Sequence, residues 1–137
     1  MKRVTGIGGI FFKAKQPKKL LAWYGRHLGM KRASRGRAVV FHWREAGRGR
    51  RQGLTLWAPF PRDTEYFKPS RSPFMLNFRV ANLDRLLATL QKEGVRIEPR
   101  HESSRYGRFA WIIDPEGNKL ELWEPPAPAH STRRRST

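Results

Sequence analysis

The sequence predicts an α+β fold made of two tandem β-α-β-β-β modules. The first observation is an internal repeat, because two separated stretches of the chain return at one offset of 66 residues. A stretch that begins at Phe12 recurs from Phe78, and LTLWAP from Leu54 recurs as LELWEP from Leu120. The second observation is that apolar residues in each half follow the spacing of a strand and then that of a helix. The third is length, since the whole chain has 137 residues and each half is too small to bury its apolar faces alone.

A strand and a helix open the first module. The run Ile7 to Lys13 is rich in β-favouring residues, and Pro17 suits the first turn of a helix. Gly29 fits the position just past the end of that helix. Its apolar residues lie at helical spacing, at Leu20, Leu21, Tyr24 and Leu28.

Short strands complete the first module. Two are predicted at about Ala38 to Arg44 and Leu54 to Ala58, separated by a turn rich in Arg and Gly. The sequence only weakly indicates a further strand near Lys31 to Arg35.

The second module has the same order of elements. The run Phe74 to Val80 alternates, Asn82 is predicted as the N-cap of a helix, and Gly94 ends that helix. The buried stripe of the helix is Leu83, Leu86, Leu87 and Leu90. Three strands follow, at Arg96 to Arg100, Arg108 to Ile113 and Lys119 to Glu124, and the sequence DPEGN forms the last hairpin turn.

These elements predict one domain over residues 1–124. It consists of a first module at about 4–60, a linker at 61–72 and a second module at 73–124. The remaining residues, 125–137, are rich in Pro and Arg and are predicted to be a disordered tail.

Composition excludes several classes of protein. With 29 Lys and Arg against 11 Asp and Glu, the formal net charge is +18, yet 38% hydrophobic residues suffice for a folded core. The absence of Cys excludes disulfides, thiolate metal sites and a cysteine nucleophile. No apolar run approaches the roughly 18 residues of a membrane span, and no secretion signal is recognised. We therefore expect a cytoplasmic protein without a membrane partner.

The doubled module, together with KKLLAWYGRHLGM after the first strand and DPEGNKLELWEP at the end, resembles the vicinal oxygen chelate superfamily of glyoxalases, bleomycin resistance proteins and extradiol dioxygenases. The resemblance covers about residues 4–125. It implies that the two modules curl into a partly closed, cup-shaped mixed sheet with the helices outside. It also implies a ligand or metal site on the concave face, and a homodimer.

Alternation predicts which side chains line this concave face. In the second module Met75, Asn77 and Arg79 point away from the helix, and so do Glu121 and Trp123 in the last strand. The 66-residue offset transfers the assignment to the first module. The predicted ligand-binding residues are Phe11, Lys13, Thr55, Trp57, Met75, Asn77, Arg79, Glu121 and Trp123. The segment from Asp63 to Ser70 is either a plain linker or a flap over this face.

The resemblance also implies where a metal would bind. Metal-dependent members place His, Gln or Glu near the start of each first strand and in each last strand. The matching positions are Gly9, Thr55, Met75 and Glu121, of which only Glu121 has a strong donor for a hard divalent ion. We therefore predict no metal and no other cofactor.

Glu121 needs a partner if it faces a desolvated cup. An ion pair with Arg79 is one prediction, either purely structural or orienting a polar or anionic ligand. Glu121 and His42 are the only candidate catalytic residues, His42 because it could act as a base near neutral pH. Several aromatic residues, among them Phe109 and Trp111, are either core or ligand contacts, and the sequence leaves their face undecided.

Three functions follow. The first is metal-independent binding, or transformation, of a small polar or anionic aromatic molecule in the cup, and whether any reaction occurs is left open. The second is weak, non-specific binding of nucleic acid or another polyanion through the basic residues of 31–51 and the arginines of the tail, Arg133, Arg134 and Arg135. The third is a metal-dependent lyase or dioxygenase activity of the same superfamily.

Overall fold

The structure, a computed structural model, describes residues 3–33, 36–46 and 51–127. The part of the predicted tail at 128–137 lies outside the described residues, and so do residues 34–35 and 47–50 of the basic segment 31–51, including Arg35, Arg48 and Arg50. Seven strands and two helices follow in the order β1 (Val4–Ala14), α1 (Pro17–Leu28), β2 (Val39–Arg44), β3 (Gln52–Pro61), β4 (Phe74–Val80), α2 (Leu83–Lys92), β5 (Arg96–Ser104), β6 (Gly107–Ile113) and β7 (Lys119–Glu124).

All seven strands form one mixed sheet in the order β2-β3-β1-β4-β7-β6-β5. The two modules meet where β1 pairs with β4 in antiparallel fashion. On either side of this junction a parallel pair repeats, β1 with β3 and β4 with β7. Within the described residues the sheet is open, with β2 and β5 at its edges. The predicted α+β class is confirmed.

The first module has fewer strands than predicted. The strand expected near Lys31 to Arg35 is reduced, in the residues described there, to one bridge between Arg32 and Val39. The hydrogen bonds of Ala33 explain this, because its carbonyl accepts the Gly36 N–H (2.9 Å) and its N–H donates to the Ala38 carbonyl (2.8 Å). The chain therefore reverses direction before a longer ladder can form.

Both helices have the predicted ends. In α1, Pro17 occupies the first turn, and Gly29 adopts the left-handed conformation at φ 69° that an L side chain disfavours. In α2, the Asn82 side chain accepts the Arg85 N–H at 3.1 Å. Neither helix in the described residues is long and apolar enough to cross a membrane.

Helix α2 covers one face of the sheet with the predicted leucine stripe. Its four leucines form a buried cluster with Val80 of β4, Ala110 of β6 and Leu122 of β7. Because side chains alternate along these strands, Met75, Asn77, Trp111 and Glu121 belong to the other face. We call this other face, which the helices do not cover, the inner face.

The linker between the modules covers part of the inner face. Phe67 is fully buried there, in a cluster with Phe11, Ala58, Met75 and Trp111. Of the two alternatives for the segment from Asp63 to Ser70, the structure shows the covering one. One end of the inner face is consequently a packed core.

Candidate functional site

Alternation of side chains along the strands correctly predicted which residues of β4 and β7 lie on the inner face. The same rule gave the wrong face for Trp57 in β3. Trp57 packs on the helix-covered face, with its ring 5.0 Å from Phe12 and 4.5 Å from Tyr24 of α1, measured between ring centroids. The β3 residues that reach the inner cluster are Leu56 and Ala58. The prediction that Trp57 lines the concave face is therefore wrong.

A difference in register explains this error. Gly9 pairs with Leu56 in the first module, whereas Leu76 pairs with Leu120 in the second. Strand β3 is thus displaced by three residues along β1 compared with β7 along β4. An odd displacement moves each side chain to the opposite face. The residue in the place of Glu121 is consequently Ala58, which lies beside Phe11 as Glu121 lies beside Asn77.

Glu121 is the centre of a buried polar network. Only 3% of this residue is exposed. Its Oε1 accepts from Asn77 Nδ2 at 2.6 Å, and its Oε2 accepts from Trp111 Nε1 at 3.0 Å and from the Tyr66 hydroxyl. Both carboxyl oxygens therefore have partners from β4, β6 and the linker.

The predicted ion pair between Glu121 and Arg79 does not form. Arg79 instead places Nη1 3.1 Å from Oε2 of Glu45, and its guanidinium lies 5.4 Å from the centre of the Trp43 ring. The two residues are on adjacent strands, but the register does not pair them. Asn77 lies beside Glu121, and Arg79 lies beside Trp123. Glu45, which directly follows β2, is the carboxylate with which Arg79 forms a salt bridge.

Burial changes the titration of the network. It raises the pKa of Glu121, although the hydrogen bonds from Tyr66, Asn77 and Trp111 oppose the rise. Burial and the neighbouring Glu121 also raise the pKa of Tyr66, so its hydroxyl stays protonated and donates. Lys119 donates to the Tyr66 carbonyl at 2.8 Å, and burial lowers the pKa of this lysine.

Trp43 is held beside Arg79 by close contact with two glycines. A Cβ atom on Gly6 would come within 2.3 Å of its ring, and one on Gly53 within 2.4 Å. The indole N–H donates to Thr55 Oγ1 at 2.8 Å, and this hydroxyl donates to the Ile7 carbonyl at 2.5 Å. Any larger residue at either glycine would displace the ring on which Arg79 stacks.

An open cleft of about 310 Å³ lies where the inner face is not covered by the linker. Its lining residues are His42, Gln52, Gly53, Leu54, Arg79, Trp123, Pro125 and Pro126. Trp123 is fixed there, since its N–H donates to the Tyr106 carbonyl at 2.8 Å and its ring stacks on Phe109. The cleft brings His42 together with Arg79 and Trp123, three residues that the sequence singled out.

The remaining predicted site residues lie elsewhere. Phe11 and Met75 are buried under the linker, and Lys13 lies with Nζ 5.9 Å from the centre of the Phe67 ring. The sequence did not identify Glu45 as a partner of Arg79. Its one signal was composition, because Glu45 is the single acidic residue among the basic residues of 31–51.

A sequence profile of the Glyoxalase/Bleomycin resistance protein/Dioxygenase superfamily matches residues 6–122. The chain belongs to this superfamily. Among curated proteins, none matches the sequence significantly.

Solved structures agree with the superfamily fold. Methylmalonyl-CoA epimerase from Mycobacterium tuberculosis is 22% identical, with a TM-score of 0.58 over 96% of this chain and 95% of that one. A variant of the Streptomyces coelicolor methylmalonyl-CoA epimerase in complex with 2-nitronate-propionyl-CoA is 17% identical, with a TM-score of 0.62 over 90% and 99%. A glyoxalase superfamily member from Vibrio splendidus 12B01 is 13% identical, with a TM-score of 0.56 over 86% and 97%. At these identities the likeness shows the fold alone.

The donors at the implied metal positions of this superfamily chain do not fit a metal site. Glu121 already accepts three hydrogen bonds, Thr55 is engaged with Trp43 and Ile7, and Met75 is buried in an apolar cluster. The register places Ala58, which has no donor, in the position equivalent to Glu121. Across residues 3–33, 36–46 and 51–127 there is no group of three or more His, Asp or Glu side chains that could hold a metal ion.

Proposed function

We propose that this superfamily member binds a small planar anion, such as an aromatic carboxylate or phosphate, in the cleft between His42, Arg79 and Trp123. The observation behind the proposal is that Arg79, a residue only 6% exposed, lines an open cleft together with the indole of Trp123. A guanidinium matches a carboxylate or phosphate by paired hydrogen bonds, and Trp123 offers a flat surface for stacking.

Glu45 and Trp43 support this role by holding Arg79 in place. The contact to Glu45 uses one Nη1 atom, whereas a guanidinium has five N–H donors. A ligand can therefore bind without breaking the contact to Glu45. His42, which also lines the cleft, would add a positive charge in its protonated form or exchange a proton with the ligand.

We propose further that binding needs no metal, because Glu121, the strongest potential metal ligand, already accepts hydrogen bonds from Tyr66, Asn77 and Trp111. The epimerase relatives crystallised with CoA esters suggest an anionic ligand for this chain too. Homodimer formation and a cytoplasmic location remain predictions, and so does weak binding of nucleic acid by the basic residues of 31–51.

The substitution Arg79→Met tests the cleft. Benzoate and phenyl phosphate would be titrated into the wild-type protein by isothermal titration calorimetry, with and without EDTA. For each anion that binds, we expect R79M to weaken binding by about tenfold or more, because a charge-assisted hydrogen bond is lost. EDTA should leave the affinity unchanged.

Arg108→Met is the matched control. Arg108 pairs with Asp84 on the surface, outside the cleft, so R108M removes the same charge without touching the site. Equal losses in R79M and R108M, or no binding of any of these anions to the wild-type protein, would contradict the proposal. Loss of binding with EDTA would contradict metal independence.

A further inference from the structure

A second cavity lies at the turn between β1 and α1, away from the residues of the cleft. Its volume is about 750 Å³, and it is widely open to solvent. Its lining residues are Lys13, Ala14, Lys15, Gln16, Lys19, Leu20, Trp23 and Tyr24. A hollow of about 390 Å³ adjoins it, shares Gln16 and Lys19, and adds Pro17, Lys18, Arg37 and Pro61. We call the two together the lysine groove.

The lysine groove has a positive charge without internal compensation. Neither cavity is lined by an aspartate or glutamate. In the described part of the chain, the salt bridges of 4.0 Å or less involve other residues, and none includes Lys13, Lys15, Lys18 or Lys19. Lys15, Lys18 and Lys19 line one concave surface without carboxylates, and such a surface attracts an anion with more than one charge.

The exposed aromatic ring of Trp23 also lines the larger cavity of this groove. Lys19 and Trp23 are four residues apart in α1 and therefore lie on one side of the helix, and Lys15 lies just before the helix. All three line the larger cavity. Trp23 is 49% exposed, although a large apolar ring is normally better buried. Its ring centroid lies 5.2 Å from that of Tyr24 and 4.8 Å from that of His27. Tyr24 in turn lies 4.5 Å from Trp57, so neighbouring rings support the exposed indole.

We propose that the lysine groove binds a nucleoside polyphosphate. The ammonium groups of Lys15 and Lys19 receive the phosphates, and the exposed face of Trp23 stacks with the base. A ligand with only one of these two parts leaves either the lysines or the indole unused. This site shares no lining residue with the cleft at Arg79 and is independent of the function proposed above.

The test compares whole and partial ligands on the intact protein. ATP, tripolyphosphate and adenosine would be titrated separately by isothermal titration calorimetry in about 0.15 M salt, where weak surface attraction is screened. We expect ATP to bind more tightly than either part. The double variant K15Q/K19Q should weaken ATP binding by about tenfold. Trp23→Ala should reduce the affinity for ATP to that for tripolyphosphate.

The control R85Q/K92Q removes two positive charges from the exposed surface of α2. It should leave the affinity for ATP within twofold of the wild type. R79M, which changes the cleft and not the groove, should also leave the affinity for ATP within twofold. Melting temperatures would verify that every variant is folded. Four results would overturn the proposal. The first two are undetectable binding of ATP and equal affinity for ATP and tripolyphosphate. The third is an equal loss of ATP affinity in the groove variants and in R85Q/K92Q. The fourth is loss of ATP binding in R79M, which would place the nucleotide in the cleft.

A single-stranded oligonucleotide titrated under the same conditions distinguishes the source of the phosphates. We expect it to bind more weakly per phosphate than ATP. Tighter binding of the oligonucleotide would assign the lysine groove to nucleic acid and overturn the small-molecule assignment.

Discussion

Replacing Glu121 with alanine is expected to lower the free energy of unfolding by about 3 kcal/mol or more. The substitution leaves the Tyr66 hydroxyl, the Asn77 amide and the Trp111 indole N–H without their acceptor, and each unsatisfied buried donor costs about 1 to 3 kcal/mol. Urea unfolding followed by circular dichroism would measure the loss. A change below about 0.5 kcal/mol, the range of ordinary surface substitutions, would contradict the buried network.

The variant Glu121→Gln separates charge from shape, because glutamine keeps one acceptor but cannot ionise. Burial raises the pKa of Glu121 above the ordinary value of 4.5 in the folded protein. The protonated carboxyl is therefore the form that favours folding. Its contribution to stability is complete below about pH 4.5 and is lost as the pH rises through the raised pKa.

We consequently expect the stability of the wild-type protein relative to E121Q to fall between about pH 4.5 and neutral pH. Urea unfolding of both proteins over this range gives the difference, and other titrating groups cancel because they are common to both. A difference that does not change with pH, or that grows in favour of the wild type, would contradict the raised pKa.

Replacing Phe67 with alanine is expected to cost about 3 to 5 kcal/mol, because the ring is fully buried between the linker and the inner face. It packs with Met75 and Trp111 and lies 5.3 Å from the Phe60 ring. Thermal unfolding by calorimetry would measure the loss.

Phe74→Ala is the matched control for this substitution, since Phe74 is 38% exposed on β4 and should cost much less. Equal losses in F67A and F74A would show that the linker does not pack on the sheet. Phe67 is absent from the lining of the cleft, so any anion that binds at Arg79 should bind folded F67A with unchanged affinity.

The helices and one half of the inner face could be predicted from local patterns. The leucines of α2, Asn82 as its N-cap and Gly29 after α1 depend on neighbours within one or two turns. The alternation in β4 and β7 assigned Asn77 and Glu121 correctly, because these strands are regular.

The rest depends on contacts between distant segments. The face of Trp57 follows from how β3 slides along β1, and the repeat alone does not contain that displacement. Tyr66 and Phe67 belong to a linker without periodicity, so the sequence left the covering of the inner face by this segment as one of two alternatives. Glu45 follows β2 and contacts Arg79 of β4, although β3 and β1 separate these two strands in the sheet.

The position of β5 at the edge of the sheet has a consequence for self-association. An exposed edge strand invites a strand of another molecule to pair with it. Most side chains of β5 are exposed, and Glu98, Arg100 and Glu102 present alternating charges. Pro99 has no N–H to offer, and the pairing with β6 is irregular between Ile97 and His101. These features oppose edge-to-edge aggregation on this side of the molecule.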